Sequence, residues 1–397
     1  MTQDVIDGSA VMGRDVWILG GTGRSGRATA TALIERGITP VLVGRDAERL
    51  AHAADQVKRA TSRGSALDHG TAADHHPSIQ PATGCKVLTA PSPQAVATEI
   101  QRHRPAVVIN TIGPFTTTAP VIARACITAG TDYVDLANDL AAVSAILDLD
   151  KAATDAGRTL VTGAGFGVTA TESVVVALCA GRVGALDVRV DMVPALEVEA
   201  GPIGDALAAT LLEGLPGVAG GGRFEGRRYR DGRLVRARIA GEVTHLTLPD
   251  GVTVTTASMP LGELMAAQRA SQASSVVSSS SEVPGSALVR AIMPLATSVL
   301  RWSAVREFAK RRLAKVEVKA RAKPREHSWG HARVTWADGT TREGWLRVGE
   351  AQQFTGTVPA EVTRRLLEGE GGPGAHTPAA LFGAGLAAAC GGEYLLD

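Results

Sequence analysis

The stretch Asp15-Val16-Trp17-Ile18-Leu19-Gly20-Gly21-Thr22-Gly23-Arg24-Ser25-Gly26-Arg27 decides the fold. A short apolar run ends in two glycines and passes into a helix-like segment that continues to Arg36 and stops at Gly37, which reads as strand, tight turn, helix. Within it, Gly21-Thr22-Gly23-Arg24-Ser25-Gly26 has the spacing of a turn that holds a pyrophosphate. Such a group needs backbone amides at close range and the positive end of a helix. Gly21 permits the turn, Gly23 the close approach, and Gly26 the contact of helix with strand.

Working outward, Pro40-Val41-Leu42-Val43 is a second apolar run ending at Gly44-Arg45-Asp46, followed by a helical stretch from Ala47 to Arg59. The end of this second strand sets the choice of dinucleotide. An acid there would hold a free ribose 2′-hydroxyl, and an arginine would pair with a 2′-phosphate. Asp46 has a ready role as the N-cap of the next helix, which frees Arg45 for the phosphate, and Arg24 inside the turn adds charge. NADP(H) is therefore the expected cofactor. Residues 61–83, rich in Gly, His, Ser and Pro, read as an unstructured surface insertion, His75-His76 included.

The alternation resumes with Lys86-Val87-Leu88, a helix from Pro93 to His103, and the buried-strand run Ala106 to Ile109. That run halts at Asn110-Thr111-Ile112-Gly113-Pro114-Phe115, at a strand's carboxyl end, where open α/β sheets place ligands. Asn110, Thr111, Gly113, Pro114 and Phe115 are thus candidate cofactor contacts beside a plain strand-to-helix turn. Tyr133 and Asp135 end another strand and are candidate proton donors for hydride chemistry. A core role for Tyr133 and a helix-capping role for Asp139 stand as the alternatives.

Repeated β-α units predict a parallel sheet covered on both faces, with residues 1–168 as a Rossmann-type domain. After Thr171 the texture shifts to alternating strands and hairpin signals, which predicts an α+β substrate domain with an antiparallel sheet over residues 169–350. Residues 351–397 read as a helical segment returning to the first domain. Ser271 to Gly285 reads as a low-complexity loop. It leads into residues 287–315, whose apolar positions end in Arg306, Lys310, Arg311, Arg312 and Lys315. A packed helix, a cationic lid and a helix lying on a membrane surface all fit that pattern.

Lys plus Arg total 41 against 40 acids, so the net charge of +1 supplies no global field for nucleic acid. Cys85, Cys126, Cys179 and Cys390 show neither metal-site spacing nor disulfide density, and the N-terminus has no basic flank or apolar run of a signal peptide, which points to a cytoplasmic protein. His327 and His331 have an i, i+4 spacing but sit in an apparent hairpin, so a structural or solvent-exposed role is expected and no metal is assigned.

With these residues in hand, the chain resembles the saccharopine dehydrogenase-like reductases, a family that includes trans-acting enoyl reductases. The resemblance rests on Gly20-Gly21-Thr22-Gly23 with Ser25-Gly26, Val43-Gly44-Arg45, Asn110 to Phe115, Tyr133-Val134-Asp135, and Thr377-Pro378-Ala379-Ala380-Leu381-Phe382-Gly383 near the C-terminus. It implies an NADP(H)-binding Rossmann domain, an α+β domain closing over the nicotinamide, a terminal helix returning to the first domain, and reduction of a C=N or activated C=C bond in a small or lipid-linked metabolite. A homodimer is expected. The chain departs from the pattern at Asn138-Asp139, where a Gly-Glu pair would stand. An NADP(H)-binding sensor or scaffold without turnover is the reading from another functional class.

Overall fold

The computed structural model describes residues 15–67, 84–197, 201–202, 225–282, 299–300, 302–318 and 325–397. Its first half alternates as the apolar runs demand. Strand β1 (Val16–Leu19) leads to α1 (Arg24–Glu35), β2 (Pro40–Gly44) to α2 (Ala47–Leu67), and β3 (Lys86–Thr89) to α3 (Pro93–His103). Then β4 (Val107–Asn110) leads to α4 (Phe115–Ala129), β5 (Asp132–Asp135) to α5 (Leu140–Leu147) and α6 (Asp150–Asp155), and β6 (Thr159–Val161) to α7 (Phe166–Leu178).

The second half supplies β7 (Ala185–Val193), β8 (Gly201–Pro202), β9 (Gly226–Arg230), β10 (Arg233–Ala237), β11 (Thr244–Thr247) and β12 (Thr253–Ser258). After these come α8 (Gly262–Ser271), β13 (Ser275–Ser280), α9 (Ser303–Ala314), β14 (Glu317–Val318), β15 (Ser328–Trp336) and β16 (Thr341–Val348). The chain ends with α10 (Ala351–Leu367), β17 (Gly374–His376), α11 (Pro378–Phe382), α12 (Gly385–Ala389) and β18 (Glu393–Leu396).

The first sheet is parallel throughout, in the order β17-β6-β5-β4-β1-β2-β3. Its strand order reverses between β1 and β4, and the crevice at such a switch point is where doubly wound sheets bind nucleotides. The second sheet runs β10-β9-β13-β7-β15-β16-β18 and is antiparallel except where β13 lies parallel to β7. Helix α7, buried along almost its whole length, packs on β7, β15 and β16 of the second sheet, and one apolar cluster runs from Ile18 and Leu42 through Phe166 and Val174 to Val188 and Val334. The C-terminal segment returns to the first half as expected, with α10 packed along α1. It also adds β17 to the first sheet and β18 to the second.

Two sequence readings are corrected. Helix α2 continues to Leu67, into the segment read as an unstructured insertion; residues 68–83, with His75-His76, lie outside the described residues. The serine-rich stretch read as a loop contains β13, hydrogen-bonded between β9 and β7 in the second sheet. Small serines fit a crowded sheet, and Ser278 Oγ donates to Met259 O at 2.5 Å, so polarity here does not mean exposure. Of residues 287–315, 287–298 and 301 lie outside the described residues. Helix α9 has no buried residue, and its N-cap Trp302 and its own Phe308 are exposed. No described helix is long and apolar enough to cross a membrane.

Two buried hydrogen-bonded knots tie distant segments together. Glu172 on α7 accepts from Thr377 Oγ1 and from Ala379 N at 2.9 Å, fixing the start of α11, and burial pushes its carboxyl up to about 7. His331 on β15, 1% exposed, sits between Asp191 on β7 (2.9 Å) and Glu343 on β16 (2.9 Å), with Trp345 against its ring at 4.2 Å. It is a buried structural histidine, not a solvent-exposed one. Burial alone would lower its pKa, but the two carboxylates overcome that and raise it above the ordinary 6.5. A raised folded pKa contributes stability that is full below 6.5 and is lost as pH climbs through the folded value. The urea midpoint of the wild type is therefore expected to fall from pH 6 to pH 9. His331→Gln should show a flatter profile and a lower midpoint at pH 6; equal slopes for the two proteins would refute the assignment.

Candidate dinucleotide and substrate site

The glycine turn closes on the carboxyl end of β1. Gly20 has φ +80°, the left-handed conformation that suits glycine, and its N–H donates to Val43 O at 2.9 Å. The residue that needs glycine's torsional freedom is thus Gly20, one position before the Gly21 assigned that role from spacing. Gly21 instead lies tight on β2, where an added Cβ would sit 2.8 Å from Leu42 Cβ. At Gly26 an added Cβ would sit 2.5 Å from Gly20 O and 2.9 Å from Gly21 Cα, so only glycine lets α1 start this close to the turn.

Helix α1 begins at N-cap Gly23 with no capping side chain and no acid in its first turn. The first-turn amides of Arg24, Ser25 and Gly26 have no partner inside the helix, and the helix end carries a partial positive charge. Thr22 O accepts from Arg27 Nη1 at 2.5 Å, which holds the turn's crest. This cradle fits a diphosphate.

Beyond β2, Asp46 is the N-cap foreseen for α2: its Oδ1 accepts from Arg49 N at 3.0 Å and its O from Leu50 N at 3.1 Å. Arg45 follows β2 and Arg24 opens α1, and both are exposed. Guanidinium groups placed here can donate to the oxygens of an anionic ligand.

Across the switch point, Thr111 Oγ1 donates to Leu19 O at 2.7 Å and seats the loop after β4 against the glycine turn. Gly113, Pro114 and Phe115 follow at partial exposure, with a cis Gly113–Pro114 peptide and Phe115 opening α4. Asn110 is fully buried. Its Nδ2 donates to Tyr133 Oη at 3.1 Å, and its Oδ1 accepts from Ile112 N at 3.0 Å.

Tyr133 Oη in turn donates to Asp135 Oδ2 at 3.0 Å. Asp135 also accepts from Ala137 N (2.9 Å), Thr162 Oγ1 (2.9 Å) and Gly163 N (3.1 Å). Burial raises both Tyr133 and Asp135, and their four donors pull Asp135 back down. Both side chains are 0% exposed, so neither offers a face to a substrate in this geometry. The network joins the loops after β4, β5 and β6 into one rigid floor. Asp139 caps α5 through Ala142 N at 2.8 Å, and burial raises it to about 6.

That floor carries a cavity of about 260 Å3. Its walls come from Leu136 to Asn138 after β5, from Gly163 and Gly165 to Val168 after β6, from Met192 and Pro194 at the end of β7, and from Gln352 and Thr355 on α10. Gln352 Nε2 donates to Ser25 Oγ at 3.0 Å, and Phe166 N to Thr355 Oγ1 at 3.1 Å, so α10 ties the glycine turn to the cavity. A larger hollow of about 670 Å3 runs along α1, α2 and α10, touching the turn only at Arg24. It lies on the helices' flank and away from the strand ends, so the smaller cavity is the candidate site. Sequence reading missed Asn138 as a lining residue, Gln352, Thr355 and the second-sheet wall. Their separation in the chain left no local signal. Among the described residues no cluster of His, Cys, Asp and Glu is arranged to hold a metal.

Known proteins place this geometry. Over 155 residues the chain is 32% identical to the trans-acting enoyl reductases of Mycobacterium bovis (strain BCG / Pasteur 1173P2) and Mycobacterium tuberculosis (strain ATCC 25618 / H37Rv), a match covering 38% of this chain and 32% of each of those proteins. The match thus spans about a third of the length of these relatives. Apo saccharopine dehydrogenase (L-Glu forming) from Saccharomyces cerevisiae superimposes on 97% of this chain and 100% of its own, with a TM-score of 0.54 and 13% identity, a likeness of fold. Residues 16–161 match the family described as Saccharopine dehydrogenase NADP binding domain, and the chain therefore carries an NAD(P)-binding domain of that family at its N-terminal end.

Proposed function

We propose that the chain is an NADPH-dependent reductase that delivers hydride to a C=N or activated C=C bond of a small or lipid-linked metabolite. The observation that carries this reading is the cavity at the carboxyl ends of β5 and β6, roofed by the second sheet and linked through Gln352 to the glycine turn. A bound dihydronicotinamide would supply the hydride. The chain's own residues bind and orient it and exclude water from the reacting carbon. Gly20 to Gly26 hold the diphosphate, Arg45 and Arg24 meet the 2′-phosphate, and the loop from Thr111 to Phe115 flanks the cofactor's middle. Tyr133, Asp135 and Asn110 act as positioning residues. At about 260 Å3 the cavity falls below the roughly 300–1,000 Å3 of sites that enclose drug-sized ligands, so it suits the reacting end of a longer molecule. The relatives named as enoyl reductases support the C=C branch, and the fold shared with saccharopine dehydrogenase supports the C=N branch.

The experiment is NADPH oxidation by the full chain with two substrate panels, imines formed from amino and keto acids, and α,β-unsaturated thioesters. Turnover of a member of either panel is expected. Tight NADPH binding with no turnover in both would overturn the reductase and leave an NADP(H)-binding sensor or scaffold.

A further inference from the structure

Helix α9 presents large apolar side chains and cations to solvent on one surface. The chain has five tryptophans, and four of them are covered: Trp17, Trp329 and Trp336 are buried and Trp345 is half-buried against His331. Trp302, the N-cap of α9, is 70% exposed, and Phe308 within the helix is 62% exposed. Val299 ahead of the helix and Val316 just past its end are also exposed. Val305, Ala309 and Leu313, spaced four apart on the other side of α9, are half-buried.

The cations share the open side. Positions three and four apart on a helix are neighbours, so Phe308, Arg311, Arg312 and Lys315 form one patch. The Arg312 guanidinium lies over the Phe308 ring, 5.4 Å from its centroid. Two further cations are engaged closer to home: Arg306 Nη1 donates to Leu300 O at 2.9 Å, and Lys310 Nζ pairs with Glu307 at 3.0 Å. Glu307 is the only acid in α9, and that pair neutralises it. Arg311, Arg312 and Lys315 are exposed and have no acidic partner among the described residues.

The carboxyl end of a helix favours cations, which accounts for Arg311 and Arg312 but not for a tryptophan and a phenylalanine held in water beside them. A polyanion or an acidic protein surface would meet the cations and leave the rings wet. An apolar protein groove would cover the rings and strip water from unpaired charges at a cost. The headgroup layer of a bilayer containing anionic lipid meets both, since aromatic rings settle at that depth and cations lie against the lipid phosphates.

We propose that α9 docks the chain on an anionic bilayer surface, with Trp302 and Phe308 at headgroup depth and Arg311, Arg312 and Lys315 on the phosphates. The apolar area is small and the charge contribution large, so the attachment is reversible and sensitive to salt. No residue of α9 lines the cavity, so docking stands or falls apart from the reductase reading.

The test is flotation of the full chain with vesicles of phosphatidylcholine containing about one third phosphatidylglycerol, against vesicles of phosphatidylcholine alone. Flotation with the anionic vesicles and a blue shift of tryptophan emission are expected, both weakening as salt rises and both absent with phosphatidylcholine alone. The triple variant Arg311→Gln, Arg312→Gln, Lys315→Gln should partition on the order of 100-fold more weakly, about fivefold per cation. Trp302→Ala with Phe308→Ala should lose about tenfold, while Trp302→Phe should still float but lose the blue shift. Arg311→Lys with Arg312→Lys keeps the charge and should float within about threefold of wild type, which separates loss of charge from misfolding. All these side chains are exposed, so the thermal midpoint and NADPH affinity should stay at their wild-type values. Failure to float with anionic vesicles, equal flotation with phosphatidylcholine alone, or wild-type flotation of the triple variant overturns the proposal. Flotation that needs the cations but is unchanged in Trp302→Ala with Phe308→Ala also overturns it, since the rings would then have no part. Binding of poly-L-glutamate through the same three cations, with no blue shift on vesicles, would give the surface to an acidic protein instead.

Discussion

Gly26→Val is expected to abolish dinucleotide binding. The first branch atom of any larger side chain would sit 2.5 Å from Gly20 O and 2.9 Å from Gly21 Cα, and both are backbone atoms of a turn already fixed on the far side by Val43 O. Relief therefore requires α1 to move away from β1 as a body. Three first-turn amides, those of Arg24, Ser25 and Gly26, would then leave a charged diphosphate. Hydrogen bonds to charged groups contribute about 1.5–3 kcal/mol each, so loss of two or three corresponds to a drop in affinity of roughly 100-fold to more than 10,000-fold. Overpacking adds about 1–3 kcal/mol of lost stability, visible as a lower thermal midpoint. Isothermal titration with NADPH checks the first part and calorimetry the second. Gly26→Val that still binds NADPH within about threefold of wild type would mean that the diphosphate lies elsewhere.

The first half of the fold was legible because parallel strands buried on both faces must be continuous apolar runs, and because the runs of β1, β2, β4 and β5 end at Gly20, Gly44, Asn110 and Asp135 at the sheet's carboxyl edge. Asp46 could be assigned as the cap of α2 from its letter and its place after a strand, because an N-cap demands a short side chain with an acceptor oxygen. The second half was less legible for equally physical reasons. Strand β13 is Ser275-Val276-Val277-Ser278-Ser279-Ser280, four serines that are buried or nearly so, and composition treats serine as a loop residue. Strand β17 has three residues and exists only because β6 offers it an edge.

The cavity was the least legible part. Tyr133 and Asp135 sit where a catalytic pair would be sought, but the fold turns both inward. Glu263, buried beside the Asn138 amide, reads in sequence as an ordinary acid in a helix's first turn, favourable there on dipole grounds alone. Its proximity to Asn138 is created by tertiary structure across more than a hundred residues. The departure at Asn138-Asp139 was visible as a departure, and only the structure supplies the buried acid that faces it.

Arg45→Ala should convert the cofactor preference and leave general affinity nearly intact. Arg45 is exposed immediately after β2, and the neighbouring acid that would otherwise recruit a ribose hydroxyl is held as the cap of α2. A 2′-phosphate brings close to two negative charges to this corner, and one guanidinium can meet it through two parallel N–H donors. The energy at stake is that of a charged hydrogen-bonded pair, about 1.5–3 kcal/mol before screening. Because the site is exposed, part of this is lost to solvent and salt, which sets the expected loss of NADPH affinity near tenfold at physiological ionic strength and higher at low salt. NADH lacks the phosphate, so its affinity should change by less than about threefold. The salt dependence supplies an independent check: wild-type preference for NADPH should shrink as salt rises, and Arg45→Ala should flatten that slope. Arg24→Ala is expected to act in the same direction, and the double variant to lose less than the sum, since both cations address one phosphate. Equal losses for NADPH and NADH in Arg45→Ala would remove the 2′-phosphate from this corner and return the choice between the two dinucleotides to the loop after β4.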